Sequence, residues 1–163
     1  MPTINIQQGD HVHHPQHGVG KVQSIKERSF YGRDPATYAQ LYFERDDLTL
    51  TLLEEDVPNT IRGLLTQKEA KQLLTHLADW GGKAKSQWKA RADKHQAAID
   101  GGDPFEYAKV VKELSRMEAE GTLRPRDKGH LNQSLDLLVE EVSRTLKKTP
   151  EQARKLIEKA AKP

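Results

Sequence analysis

Hydrophobic and polar positions change rhythm once along the chain. Through residues 9–57 the apolar positions come in short extended groups. These are Val12, then Val19, Val22 and Ile25, then Tyr38 to Phe43, then the alternating run Leu48-Thr49-Leu50-Thr51-Leu52. β-Branched and aromatic residues in such runs predict strands. Turn-forming stretches separate them at Pro15-Gln16-His17-Gly18, Tyr31-Gly32-Arg33-Asp34-Pro35 and Arg45-Asp46-Asp47. Connections this short leave no room for helical crossovers, so the strands form an antiparallel meander. Roughly 60 residues of meander are expected to close into a small barrel.

Beyond Arg62 the period is helical. Thr66-Gln67-Lys68-Glu69 is a capping box ahead of Leu73, Leu74 and Leu77. Gly81-Gly82 ends that helix, Ser86 is the expected cap of the next, and Gly101-Gly102 stops it. Asp103-Pro104-Phe105-Glu106 places a cap, a first-turn proline and an N3 glutamate in register. Tyr107, Val110, Val111, Leu114 and Met117 then share a face, and Leu131, Leu135, Leu138, Val139, Val142 and Leu146 repeat the pattern in a long helix. Thr149-Pro150 opens the last helix, with Ala153, Leu156, Ile157 and Ala160 on its apolar side. The expected fold class is α+β in two domains. Residues 1–62 form a small antiparallel β-barrel, and residues 63–163 form an all-α bundle of about five helices.

Composition narrows the function. Leu, Ile, Val and Phe supply only 35 of 163 residues and mean hydropathy is −0.81, so a wet surface covers a modest core. The chain has no cysteine, which excludes disulfides, thiolate metal sites and cysteine nucleophiles. No run approaches the roughly 18 apolar residues of a membrane helix. The start Met1-Pro2-Thr3-Ile4-Asn5 lacks the charged and apolar regions of a signal peptide, and a cytoplasmic protein is expected. Net charge is +2, but it is divided unevenly: residues 1–62 hold 6 basic and 9 acidic side chains, residues 63–163 hold 20 and 15. The densest cationic stretch, residues 83–94, carries Lys83, Lys85, Lys89, Arg91 and Lys94 against Asp93 alone. That division suggests a first half that meets protein and a second that meets nucleic acid.

Few constellations suggest chemistry. His11, His13, His14 and His17 are close in sequence, and imidazoles bind zinc or nickel. On a strand, however, His11 and His13 face one way and His14 the other. No thiolate or carboxylate completes the set nearby, so a surface strand and its turn explain the cluster better than a metal. His17-Gly18-Val19-Gly20 has the wrong spacing for a phosphate loop and is followed by a strand, so its glycines belong to a turn and a close strand crossing. Glu54-Glu55-Asp56 and Glu140-Glu141 are neighbours in sequence and read as solvated faces. No catalytic motif is present, and no enzyme, metal or cofactor is expected.

Trp88 stands inside the cationic stretch in the first turn of a short helix. Lys85, Trp88 and Arg91 are spaced to share one side of that helix, with Lys89 beside them. An aromatic wedge ringed by cations suits the DNA minor groove, where cations hold phosphates and the ring presses on a base step. Trp88, Ala92, His95 and Ile99 also form a helical stripe, so a core tryptophan is the competing reading. Trp80, ahead of Gly81-Gly82, is expected to pack against the bundle.

These features together resemble the CarD/CdnL family of bacterial RNA polymerase-binding transcription regulators over nearly the whole chain. The N-terminal signature is Gly9-Asp10-His11-Val12-His13-His14-Pro15-Gln16-His17-Gly18-Val19-Gly20-Lys21-Val22, a pattern shared with the polymerase-interacting domain of the transcription-repair coupling factor. Ser86-Gln87-Trp88-Lys89-Ala90-Arg91, Ala98-Ile99-Asp100-Gly101-Gly102-Asp103-Pro104 and Leu137-Leu138-Val139-Glu140-Glu141-Val142 resemble the second half. The resemblance implies a Tudor-like (SH3-like) β domain that docks on the lobe of the polymerase β subunit. It also implies a helical domain at the upstream edge of the melted −10 region of promoter DNA, where the tryptophan wedges into the minor groove without reading bases. Mapped onto this chain, Trp88 is the wedge, Lys85, Lys89, Arg91 and Lys94 grip phosphates, and Arg28 contacts the lobe. A second lobe arginine of some members falls near Thr51, and Asp93 stands where some carry a basic residue. The four-histidine cluster exceeds the family pattern. The resemblance thus implies a nucleoid-associated regulator, expected to be monomeric, that stabilises the open promoter complex. The competing expectation is a polymerase-binding adaptor with no DNA contact.

Overall fold

The computed structural model describes residues 5–29, 32 and 34–162. Of the expected turn at 31–35, Tyr31 and Arg33 lie outside the described residues, as do residues 1–4 of the chain start. The chain divides into two compact units, residues 1–64 and 65–163. Each has its own apolar cluster.

The first unit holds five strands: β1 (His11–His14), β2 (Gly18–Arg28), β3 (Ala36–Phe43), β4 (Leu48–Leu53) and β5 (Arg62–Gly63). All pair antiparallel, in the order β4-β3-β2-β1-β5. Sequence alternation fixes the faces. Ala39, Leu41 and Phe43 sit opposite Leu52, Leu50 and Leu48 on the core side, while Thr49 and Thr51 point outward. Gly20 meets Phe43 so closely that a Cβ there would lie 2.5 Å from the ring, which only glycine permits. Gly18 enters β2 at φ 77°, a conformation that favours glycine.

The expected barrel is not closed. β4 and β5 stand at opposite ends of the sheet, because β5 is two residues long and reaches only Val12 and His13 of β1. Val57 and Ile61, at the two ends of the single turn α1 (Val57–Thr60), cover the core there instead.

The histidine cluster is absorbed by this packing. His13 is fully buried, and its pKa is pushed down to about 3, by burial first and then by the neighbouring charges of Arg62 and Arg45. The His14 and His17 rings lie 4.7 Å apart beside Phe43, and His17 Nδ1 is 2.8 Å from Asp46 Oδ2. Among the described residues no three His, Asp or Glu side chains are grouped to hold a metal ion.

The second unit contains α2 (Gln67–Asp79), α3 (Trp88–Gly101), α4 (Pro104–Ala119), α5 (Pro125–Thr145) and α6 (Pro150–Ala161). This unit thus has the five helices expected of it; the single turn α1 in the first unit, too short to show a period, makes six among the described residues. Three N-termini are built by local chemistry. Thr66 Oγ1 accepts from Glu69 N (3.1 Å), Asp103 Oδ1 from Phe105 N (2.9 Å), and Thr149 Oγ1 from Gln152 N (3.1 Å).

Two buried charges tie the helices together. The Lys112 ammonium donates to Ala78 O at the end of α2 and to Ala160 O and Lys162 O at the end of α6. It occupies the electronegative ends of two helices at once. Glu141 corrects the expectation of a solvated pair of carboxylates. It is fully buried and accepts the Leu65 N–H at 2.7 Å, while Thr145 Oγ1 donates to Leu65 O at 3.0 Å.

His13 couples stability to pH. It is neutral in the fold but takes a proton in the unfolded chain below its ordinary value of 6.5. Its contribution is therefore full above pH 6.5 and falls as pH drops toward about 3. Chemical denaturation at pH 7 and pH 5 should show a loss of about 2 kcal/mol at the lower pH. His13→Gln should remove most of that difference.

Candidate functional site

Trp88 is the first residue of α3. The N-cap is Gln87 and not the expected Ser86, and no side chain caps the helix. Ala92, His95 and Ile99 continue the stripe below Trp88 and are buried, but Trp88 overhangs its end and is 48% exposed. It is the exposed large hydrophobic among the described residues. The competing core placement is therefore corrected: a stripe that packs from its second turn onward leaves its first residue in water.

In the same segment Lys83, Lys85, Lys89 and Lys94 are exposed. Lys85 lies ahead of α3 and not on it, so it does not share a helical side with Trp88 and Arg91 as the spacing predicts.

Arg91 requires a larger correction. It is only 3% exposed and cannot grip phosphates as expected. Its Nε and Nη2 donate to Asp127 Oδ1 and Oδ2, each at 2.9 Å, in a two-pronged pair between α3 and α5. Nη1 donates to Lys85 O (3.0 Å) and Ser86 O (3.2 Å). The guanidinium thus fixes the backbone two and three residues ahead of Trp88. The hydrogen bond from Arg91 holds the Asp127 carboxyl below its ordinary range, against the opposing effect of burial, and Arg124 N–H adds a bond at 3.2 Å. Asp127 is the member of this site that sequence reasoning missed. It lies 36 residues from its partner, and no local pattern announces it.

A second buried pair lies further along α3. His95 Nε2 and Glu113 Oε1 are 3.1 Å apart, and both residues are buried. Burial raises the Glu113 pKa, but His95 and nearby Lys94 outweigh it and hold the carboxyl below its ordinary range. Trp80 packs in the bundle as expected, 5.7 Å from the His76 ring and beneath the Lys109 ammonium at 4.9 Å.

In the β unit, Arg28 ends β2 opposite Ala36, and Thr51 of β4 sits opposite Gln40. Ala36 and Gln40 share the outer face of β3, so Arg28 and Thr51 are brought to one face, and both are exposed. β4 is one of the two edges of the sheet among the described residues, and the longer one.

Two family models match the chain. The CarD C-terminal domain covers residues 66–158, and the CarD-like/TRCF RID domain covers residues 6–58. The chain belongs to the CarD family. A relative in Bacillus subtilis (strain 168), named "Putative transcription factor YdeB", is 25% identical over 138 residues, which is 84% of this chain and 90% of that protein. Membership of the CarD family makes this chain a transcription regulator that interacts with RNA polymerase, in a family that is generally non-enzymatic. Its first unit is the RNA polymerase β-interacting kind of domain, a Tudor-like fold. No described helix is long and apolar enough to cross a membrane.

Trp88 and Asp127, one exposed and one buried, should respond differently to truncation. Trp88→Ala should cost far less than the roughly 3–5 kcal/mol lost with a buried aromatic. Asp127→Ala strands a buried guanidinium and should cost roughly 3–5 kcal/mol. Chemical denaturation followed by circular dichroism measures both, and equal losses would return Trp88 to the core.

Proposed function

We propose that this CarD-family chain stabilises the open promoter complex. Its β unit docks on the lobe of the polymerase β subunit, and its helical unit presses Trp88 into the minor groove at the upstream edge of the melted −10 region. The observation that carries this reading is the exposure of Trp88 in a segment whose lysines, Lys83, Lys85, Lys89 and Lys94, are exposed as well. An indole left half in water among cations is what a groove wedge requires. Lys85, Lys89 and Lys94 neutralise phosphates, and Arg91 holds the wedge from behind.

Docking uses the open edge of β4, whose backbone can accept a further strand, with Arg28 and Thr51 on the adjoining face. The second lobe arginine of some members falls near Thr51, so Arg28 carries the charged part of the contact. Tethering raises the local concentration of a weakly basic DNA-binding surface, so a few lysines suffice. Wedging favours the melted promoter because unstacking a base step costs roughly a few kcal/mol and is already complete there. The gain is limited to the difference in affinity between closed and open DNA. Such a regulator acts as a monomer in the cytoplasm, at the nucleoid, without base-specific readout, metal or cofactor.

The test is the lifetime of purified polymerase–promoter open complexes after competitor challenge. Wild type should prolong it. Trp88→Ala should bind polymerase yet lose the effect, and Arg28→Glu should lose both. A wild-type chain that binds polymerase and leaves the lifetime unchanged would leave an adaptor without DNA contact.

A further inference from the structure

A concave site of about 430 Å³ opens in the helical unit, between the 83–86 segment, α4 and the start of α5. That volume is within the roughly 300–1,000 Å³ of small-molecule pockets. Three separate stretches of chain bring cations to it: Lys83 and Lys85 from the loop, Arg116 from α4, and Arg124 from the N-cap of α5. Among the described residues Lys83, Lys85 and Arg124 form no ion pair, and Arg116 gives only Nη1 to Gly82 O at 3.0 Å. Of the two carboxylates in the lining, Glu113 is already engaged by His95.

Two lysines and two arginines, with Glu120 as the other carboxylate of the lining, leave a surplus of positive charge that concentrates anions. Arginine forks match phosphate oxygens in pairs. The same lining includes the apolar Ala84 and Met117, a surface for a flat base and not for a bare anion. We propose that this cleft is a binding site for a nucleoside polyphosphate, with its phosphates on Lys83, Lys85, Arg116 and Arg124 and its base against Met117.

The cleft also bears on the wedge. Lys85 and Ser86 line it, and their carbonyls are the ones held by Arg91 ahead of Trp88. A bound polyphosphate takes Lys85 away from promoter phosphates and stiffens the segment that presents Trp88. This regulatory consequence rests on the wedge reading, but binding itself does not.

The experiment is calorimetric titration of the full chain, without polymerase or promoter, at physiological ionic strength. The probes are GTP, ATP, inorganic tripolyphosphate and a short DNA duplex. Saturable one-to-one nucleotide binding is expected, at least tenfold weaker in Arg116→Ala/Arg124→Ala and unchanged in Lys89→Ala/Lys94→Ala. Arg124→Ala alone, at an exposed position, repeats the test should loss of the Arg116–Gly82 bond disturb the fold, which circular dichroism reports. No saturable nucleotide binding overturns the proposal, as does equal weakening by both double variants, which marks diffuse surface charge. Tripolyphosphate binding as tightly as GTP and ATP overturns the nucleoside assignment. If the cleft variants weaken only duplex binding, the cleft is part of a DNA footprint and the proposal fails, with the wedge untouched.

Discussion

A guanidinium taken out of water is tolerated only where its N–H groups find partners, and Arg91 finds them on three sides. Two of its nitrogens close on Asp127 of α5 and a third reaches the carbonyls of Lys85 and Ser86. The planar fork is what permits this. A lysine at the same position would offer a point charge and could not span a carboxylate and two carbonyls together. The bond to Asp127 locks α3 to α5, and the bonds to the loop then fix how the chain enters α3. Since no side chain caps that helix, the backbone ahead of Trp88 depends on Arg91 for its anchorage.

The two units solve their stability problems by different means. The β unit spends its apolar residues on one face of an open sheet and closes its core with a single helical turn. The helical unit has the larger apolar cluster, and it adds buried polar anchors where apolar contact cannot reach. Lys112 gathers the ends of α2 and α6, and Glu141 holds the backbone at Leu65. Each of these charged groups meets backbone atoms and not merely another side chain, so each one fixes the course of the chain as well as offsetting its own desolvation. The surface above is then free to carry unpaired lysines.

What could be read from residues alone was what is local. The alternation of Leu48, Leu50 and Leu52 with Thr49 and Thr51 determines both the strand and its faces, and the caps at Thr66, Asp103 and Thr149 act within three residues. What could not be read depends on partners far away in the chain. Sheet closure turns on how far β5 extends along β1, which no pattern within residues 62–63 reveals. Glu141 looked like half of a solvated pair because its partner is 76 residues distant. Arg91 looked like a phosphate ligand because its carboxylate is on another helix. Trp88 was ambiguous for a geometric reason: spacing puts it in line with Ala92, His95 and Ile99, but only the packed unit shows that the stripe enters the core one turn later.

The open edge of β4 has a consequence for the chain when it is alone. Leu48-Thr49-Leu50-Thr51-Leu52-Leu53 carries no charge and no proline, and its outer backbone groups form the sheet's unpaired border among the described residues. A strand of that kind is a template for its own copies as readily as for a foreign strand. Glu44-Arg45-Asp46-Asp47 precedes it and Glu54-Glu55-Asp56 follows it, so both ends are fenced by side chains that repel their like in a register-matched stack. The acidic residues at the two ends of β4 thus oppose edge-to-edge aggregation.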